Sequence, residues 1–197
     1  MAAKRFSIAL AGAALLALIA VGLVQLPGSS RTPAAMPVKL TLAQMRMRLA
    51  GSPPALAKLH AHAGELLAGG SSALRASLAA LRGRPVVINK WASWCEPCRA
   101  EFATFQRVSL AQGRDVAFIG IDSGDSRADA LAFLRSFPVS YPSYYDHSGR
   151  LGLSITDSAF TPVTVFYDAR GAQYIHQGPY LSPAKLEQDV RRYALDA

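Results

Sequence analysis

Residues 85–98 read Pro85-Val86-Val87-Ile88-Asn89-Lys90-Trp91-Ala92-Ser93-Trp94-Cys95-Glu96-Pro97-Cys98. The apolar, β-branched run at 85–90 predicts a short buried strand. The C-x-x-C that follows carries a proline in the first turn of a predicted helix, where its missing N–H is no loss. The chain's 2 cysteines both lie here. A disulfide between them closes a ring of four residues, for which chain entropy supplies only about 2 kcal/mol, so structure is a poor reason to have it. A C-x-x-C opening a helix instead favours thiolate chemistry, and a reversible dithiol is the first expectation. A structural zinc site needs about four ligands. No second cysteine pair exists, and His60 and His62 fall on another predicted helix. Neither a metal nor any cofactor beyond the Cys95–Cys98 dithiol is therefore expected.

Outward from this stretch, helix and strand patterns alternate. Phe102, Phe105 and Val108 recur at helical spacing, and Gly113 stops that helix. Residues 115–121 predict a second buried strand. Ser126 with Asp129 makes a capping box for a helix through Leu131, Leu134 and Phe137, which Pro138 ends. Residues 141–145 suggest a short strand and 147–153 a turn or short helix. Residues 161–167 and 172–177 read as strands joined by the turn Asp168-Ala169-Arg170-Gly171, and a last helix begins at Ser182-Pro183, with Leu186, Val190 and Tyr193 on one face. Upstream, Ser52 caps and Pro53-Pro54 open a predicted helix carrying Leu56, Leu59, Ala63, Leu66 and Leu67 as far as Gly69-Gly70. Leu74, Leu78 and Leu81 continue a helical period to Gly83. The order βαβα then ββα indicates an α/β domain.

The amino terminus bears on the compartment. Lys4 and Arg5 precede an uncharged stretch, residues 6–26, whose strongly polar side chains are Ser7 and Gln25. As a helix it would be about 32 Å long, enough to span a hydrocarbon core of about 30 Å. Pro27-Gly28 ends the run. A small-residue cleavage site is weak here, Gly28-x-Ser30 at best, so a signal-anchor is expected, with a cleaved signal peptide and a secreted product as the alternative. Both readings export the remainder. No cysteine is placed for lipid attachment. The expected organisation is a cytoplasmic tail at 1–5, a transmembrane helix at 6–26, a tether at 27–52 in which 40–49 could form a short helix, and a domain at 53–197 with its core from about 72. The formal net charge of +8 implies a solvated basic surface comfortable near anionic lipid. No basic run is interleaved with aromatics, so nucleic acid is not an expected partner.

Strand, Trp-x-x-Trp-Cys-x-x-Cys at a helix start, an inserted α-containing segment and a Thr-Pro opening a distant strand together resemble the thioredoxin fold. More narrowly, Gly83-Arg84-Pro85 through Cys98-Arg99-Ala100-Glu101-Phe102 is similar to the membrane-anchored TlpA/ResA thiol-disulfide oxidoreductases. The likeness runs from about residue 74 to the carboxyl end. It implies a central mixed β-sheet flanked by helices, a monomer, a protein disulfide as substrate and a membrane-embedded thiol as electron donor. The Glu-Pro between the cysteines is the dipeptide of ResA proteins, which reduce the haem-attachment disulfide of apocytochrome c, so cytochrome c maturation is the implied setting. The resemblance also implies that Thr161-Pro162 is cis, beside Cys95, offering the Thr161 main chain to an extended substrate by strand addition. Trp94, Thr161 and Pro162 are thus the expected substrate-binding residues.

Individual roles follow from chemistry. Cys95 faces the helix amides and positive dipole end, which favour its thiolate, and is the expected nucleophile; Cys98, one turn in, resolves the mixed disulfide. Pro97 fixes the first turn. Glu96 disfavours the neighbouring thiolate and so makes the pair more reducing, which points to a reductase. Thioredoxin carries a buried aspartate where this chain has Asn89, and an amide cannot accept the proton. Relatives of the TlpA/ResA type use an acid in the inserted segment, where Gly124-Asp125-Ser126 places Asp125; capping the next helix is the alternative role. Lys90, where many relatives have Phe, would snorkel at the strand end or offset Glu96 and lower the Cys95 pKa. His147 and His176 read as surface or packing residues. An exported oxidase or isomerase and a non-catalytic binding module are the competing function classes; the intact C-x-x-C and Thr-Pro weigh against the latter.

Overall fold

A computed structural model describes residues 40–196. The expected tail, the apolar stretch 6–26 and most of the tether lie outside the described residues; among those described, no helix is long and apolar enough to cross a membrane. Residues from Leu40 onward form one compact unit. Helix α1 (Leu42–Arg48) occupies the end of the expected tether, held by a Thr41/Gln44 capping box, with Met45 buried beneath it and Leu49 just after it. Leu40, Met45 and Leu49 are all buried, so the described residues pack from Leu40 onward.

After α1 come α2 (Pro54–Ala61), β1 (Leu66–Leu67), α3 (Gly70–Ala80), β2 (Val86–Trp91), α4 (Glu96–Gln112), β3 (Ala117–Ser123) and α5 (Arg127–Ser136). They are followed by β4 (Ser143–Asp146), α6 (Arg150–Thr156), β5 (Val163–Tyr167), β6 (Gln173–Gln177), α7 (Pro183–Val190) and a π-helical turn (Arg191–Leu195). The strands make one six-stranded sheet in the order β1-β4-β3-β2-β5-β6. β1, β4, β3 and β2 run parallel, while β5 and β6 are antiparallel additions. This is the thioredoxin-like mixed sheet with helices on both faces.

Two upstream expectations are corrected. The helix expected through Leu67 ends at Ala61, and Leu66 and Leu67 pair with Ser143 and Tyr144 instead. Gly64, at φ +72°, makes the turn that separates them, and two adjacent leucines suit a buried strand as well as a helix face. Ser52 does not cap α2: Pro53 holds the cap position, and the Ser52 hydroxyl donates to the Leu49 carbonyl.

Alternation along β2 fixes the two faces. Val87 and Trp91 enter a core with Cys98, Phe102 and Phe105 of α4 and Phe133 of α5; Val86 and Ile88 enter the opposite core with Leu56, Leu74 and Leu151. Trp91 is wholly buried, its ring edge-on to Phe102 and its indole N–H donating to Ser143 Oγ at 3.1 Å. Gly120 lies between them: a Cβ there would stand 2.9 Å from Trp91 Nε1 and overlap Ser143.

Candidate active site

The carboxyl ends of the parallel strands β2, β3 and β4 open on one edge, where ligand sites of α/β sheets gather. From β2 comes the dithiol loop, from β3 the loop Gly124-Asp125, and from β4 His147. Register brings the fourth segment there: Lys90 pairs with Val163, so Pro162, one residue earlier in an antiparallel strand, falls opposite the end of β2. The Thr161–Pro162 bond is cis, as the resemblance implied.

Cys95 is the N-cap of α4, 4% exposed, and its sulfur accepts the Cys98 N–H at 3.2 Å. Cys98 is fully buried, and the two are joined as a disulfide. Glu96 and Pro97 are exposed in the first turn, and Trp94 beside them is 65% exposed. The Trp94 indole donates to the Gly124 carbonyl at 3.1 Å, which pins the dithiol loop to the loop after β3. Arg99 reinforces this, donating to the Ser93 carbonyl and lying over the rings of Phe133 and Phe137. Beside this loop a cavity of about 350 Å³ is lined by Ser93, Trp94, Asp125 and Phe133 among others.

Asp125 is buried under the loop. Its Oδ2 accepts the Ser93 N–H at 2.6 Å and its Oδ1 the Ser126 N–H at 2.9 Å. The carboxylate thus links the dithiol loop to the residue that caps α5. The Ser126–Asp129 capping box is half formed. Ser126 Oγ accepts the Asp129 N–H, but the Asp129 carboxylate takes the Ser126 hydroxyl, because Asp125 already holds the Ser126 amide. His147, expected as a surface or packing residue, is exposed, and its Nδ1 lies 2.9 Å from the Asp125 carbonyl. His176, as expected, is a packing residue, its ring tilted against Tyr180.

Two buried carboxyls were missed from sequence. Asp122 faces the Trp91 side of the sheet, fully buried, with both carboxylate oxygens unpartnered. Burial, then the neighbouring Asp125 and Asp146 charges, push it up to about 8. Glu101 lies three residues beyond Cys98 on the same helix face. Its oxygens accept from Asn89 Nδ2 at 2.8 Å and from the Tyr180 N–H at 2.9 Å, and burial raises it to about 8. Glu101 could have been found as a charge on the apolar stripe of α4; Asp122 reads in sequence as an ordinary strand end.

Lys90 does not snorkel. It is 2% exposed, and its ammonium donates to the carbonyls of Ser158 at 2.5 Å and Phe160 at 3.1 Å. Burial lowers its pKa and the Asp146 charge opposes that. No ion pair joins it to Glu96 among the described residues. His60 and His62 stay on and just after α2, away from the dithiol, with His62 on Glu65. Among the described residues no cluster of three or more His, Cys, Asp or Glu side chains could hold a metal.

Residues 63–185 match the Redoxin family. The thiol:disulfide interchange protein DsbE of Escherichia coli (strain K12) is 34% identical over 112 residues, 56% of this chain and 58% of that protein. The thiol-disulfide oxidoreductase ResA of Bacillus subtilis (strain 168) is 29% identical over 98 residues, 49% of this chain and 54% of the relative. The chain thus spans little more than half the length of these relatives. A secreted Mycobacterium tuberculosis disulfide oxidoreductase homologous to E. coli DsbE superposes with a TM-score of 0.53 at 25% identity, covering 58% of this chain and 85% of that one. The likeness to TlpA/ResA proteins read from the dithiol stretch agrees with these relatives.

Proposed function

From the premise that the chain belongs to the Redoxin family, we propose that it is a thiol-disulfide oxidoreductase working as a reductase of protein disulfides outside the cytoplasm. The direction is supported by the Glu96 charge in the first turn, which opposes the thiolate, and the observation that carries the dithiol chemistry is the N-cap position of Cys95, whose sulfur receives the Cys98 amide at the start of α4. Those amides and the helix dipole favour a thiolate there. In the reduced protein the Cys95 thiolate attacks one sulfur of a substrate disulfide, forming a mixed disulfide and releasing a substrate thiolate, which takes up a proton. Cys98 then gives up its proton, attacks Cys95 Sγ and expels the second substrate thiol. The substrate has gained two electrons, and the Cys95–Cys98 disulfide is the state described above. A membrane thiol donor would return those electrons, as an exported reductase requires in an oxidising compartment.

Proton movement is assigned to Asp125 together with Asp122. Asp122 has both oxygens free and sits against Asp125, whose carboxylate accepts the Ser93 N–H in the loop before Cys95 and the Ser126 N–H. Substrate main chain would pair with Thr161, whose backbone makes no hydrogen bond among the described residues, flanked by the exposed Trp94 and Phe160. Glu96 biases the couple toward reduction of others. The setting of cytochrome c maturation, with apocytochrome c as substrate, rests on the Glu-Pro dipeptide and the DsbE and ResA relatives; tethering by residues 6–26 rests on their composition.

The test is trapping. Cys98→Ser, reduced and mixed with a disulfide-bonded peptide containing a C-x-x-C-H segment, is expected to accumulate a mixed disulfide on Cys95. No adduct, or an adduct in Cys95→Ser but not in Cys98→Ser, contradicts the assignment of nucleophile.

A further inference from the structure

A buried lysine on a central strand of a sheet is costly unless its ammonium is satisfied. Lys90 leaves β2 on the face opposite the dithiol helix, among Val86 and Ile88. Its stem passes over Gly152 of α6, where a Cβ would come within 2.9 Å of Lys90 Cε and 3.0 Å of Cδ. Its head meets two main-chain carbonyls, Ser158 and Phe160, in the segment that carries the chain from α6 to β5. The same segment is folded onto itself: Thr156 Oγ1 also donates to the Ser158 carbonyl, and the Phe160 N–H donates to Ser158 Oγ. Phe160 keeps its ring 76% exposed while its carbonyl turns inward to the ammonium. Thr161-Pro162 follows at once.

We propose that Lys90 is a positioning residue that clamps the 158–160 segment from beneath and so sets the Thr161 main chain and the Phe160 ring for an incoming extended peptide. Asp146 is the charge that accompanies it. That carboxylate accepts the Gly152 N–H at 2.8 Å and the Ser123 hydroxyl at 3.3 Å, which fixes α6 and with it the channel for the lysine stem. The ammonium acts on a loop, across the sheet from the sulfurs, and so governs how a main chain docks rather than how the thiolate ionises.

The proposal rests on the reading of Thr161 as the docking edge, and the experiment separates the two. Steady-state reduction of a disulfide-bonded peptide by the reduced protein is measured in wild type, Lys90→Met and Gly152→Ala, with the Cys95 thiolate titrated in each. Gly152→Ala keeps the charge but crowds the stem, and it carries the test if Lys90→Met does not fold. The expected result is a peptide KM raised about tenfold with kcat changed less than about twofold, and a thiolate titration that stays in place. A peptide KM that does not move in either variant, or a thiolate pKa that moves while KM does not, overturns the clamp. A wild-type protein that reduces 5,5′-dithiobis(2-nitrobenzoate) but leaves the peptide intact fails the docking reading itself.

Discussion

At the scale of single residues, the chemistry is divided between a pair of sulfurs and the carboxyls behind them. Asp125 accepts the Ser93 amide two residues before Cys95, and Asp122 lies against it with no other partner. A general base contributes about 10²–10⁴-fold, so Asp125→Asn is expected to lower peptide reduction at pH 7 at least tenfold. Asp122→Asn is expected to remove the rise in rate centred near pH 8 that ionisation of Asp122 imposes. A pH–rate profile of the three proteins checks both. Sequence alone favours Asp125 and leaves Asp122 without a role. The structure joins them because the turn at Gly124, φ +74°, folds the loop back over the strand end. The same limit applies to Lys90. Its presence is plain in the sequence, but its partners lie 68 and 70 residues away, and no local pattern encodes a main-chain carbonyl.

At the scale of elements, legibility follows the source of the signal. β2, α4 and β3 were readable because buried strands and an amphipathic helix write their periods into the chain, and the stop at Gly113 was equally local. β1 was not: two residues that pair with β4 carry no period, and their strand state comes from the edge they meet. The close approach of Trp91, Gly120 and Ser143 across β2, β3 and β4 was invisible for the same reason. It gives a sharp prediction. Gly120→Ala must displace Ser143 and the Trp91 indole, and overpacking of this kind costs about 1–3 kcal/mol. Urea unfolding is expected to show that loss, with a change in tryptophan emission in the native baseline. At the start of α5, Ser126→Ala removes an N-cap bond and is expected to cost about 1 kcal/mol in the same assay.

At the scale of the whole molecule, stability depends on a buried acid and redox poise on the charge beside the nucleophile. Glu101, folded, is held near 8, well above an unfolded glutamate. Its protonated form fits the fold, so the contribution is complete below about pH 4.3, declines as pH rises, and is lost above about 8. The urea midpoint of the oxidised domain is therefore expected to fall between about pH 5 and 8, and Glu101→Gln to flatten that fall; a profile that Glu101→Gln leaves unaltered counts against it. The central claim concerns direction of electron flow. Glu96 beside the nucleophile opposes negative charge on the sulfurs, so the oxidised pair is favoured and its electrons are readily given away. Equilibrating the domain from residue 40 onward against a series of dithiol buffers gives the potential of the Cys95–Cys98 couple directly. A value near or below that of thioredoxin, about −270 mV, is predicted; a value approaching the range of about −120 mV found for a strong thiol oxidant contradicts the reductase reading.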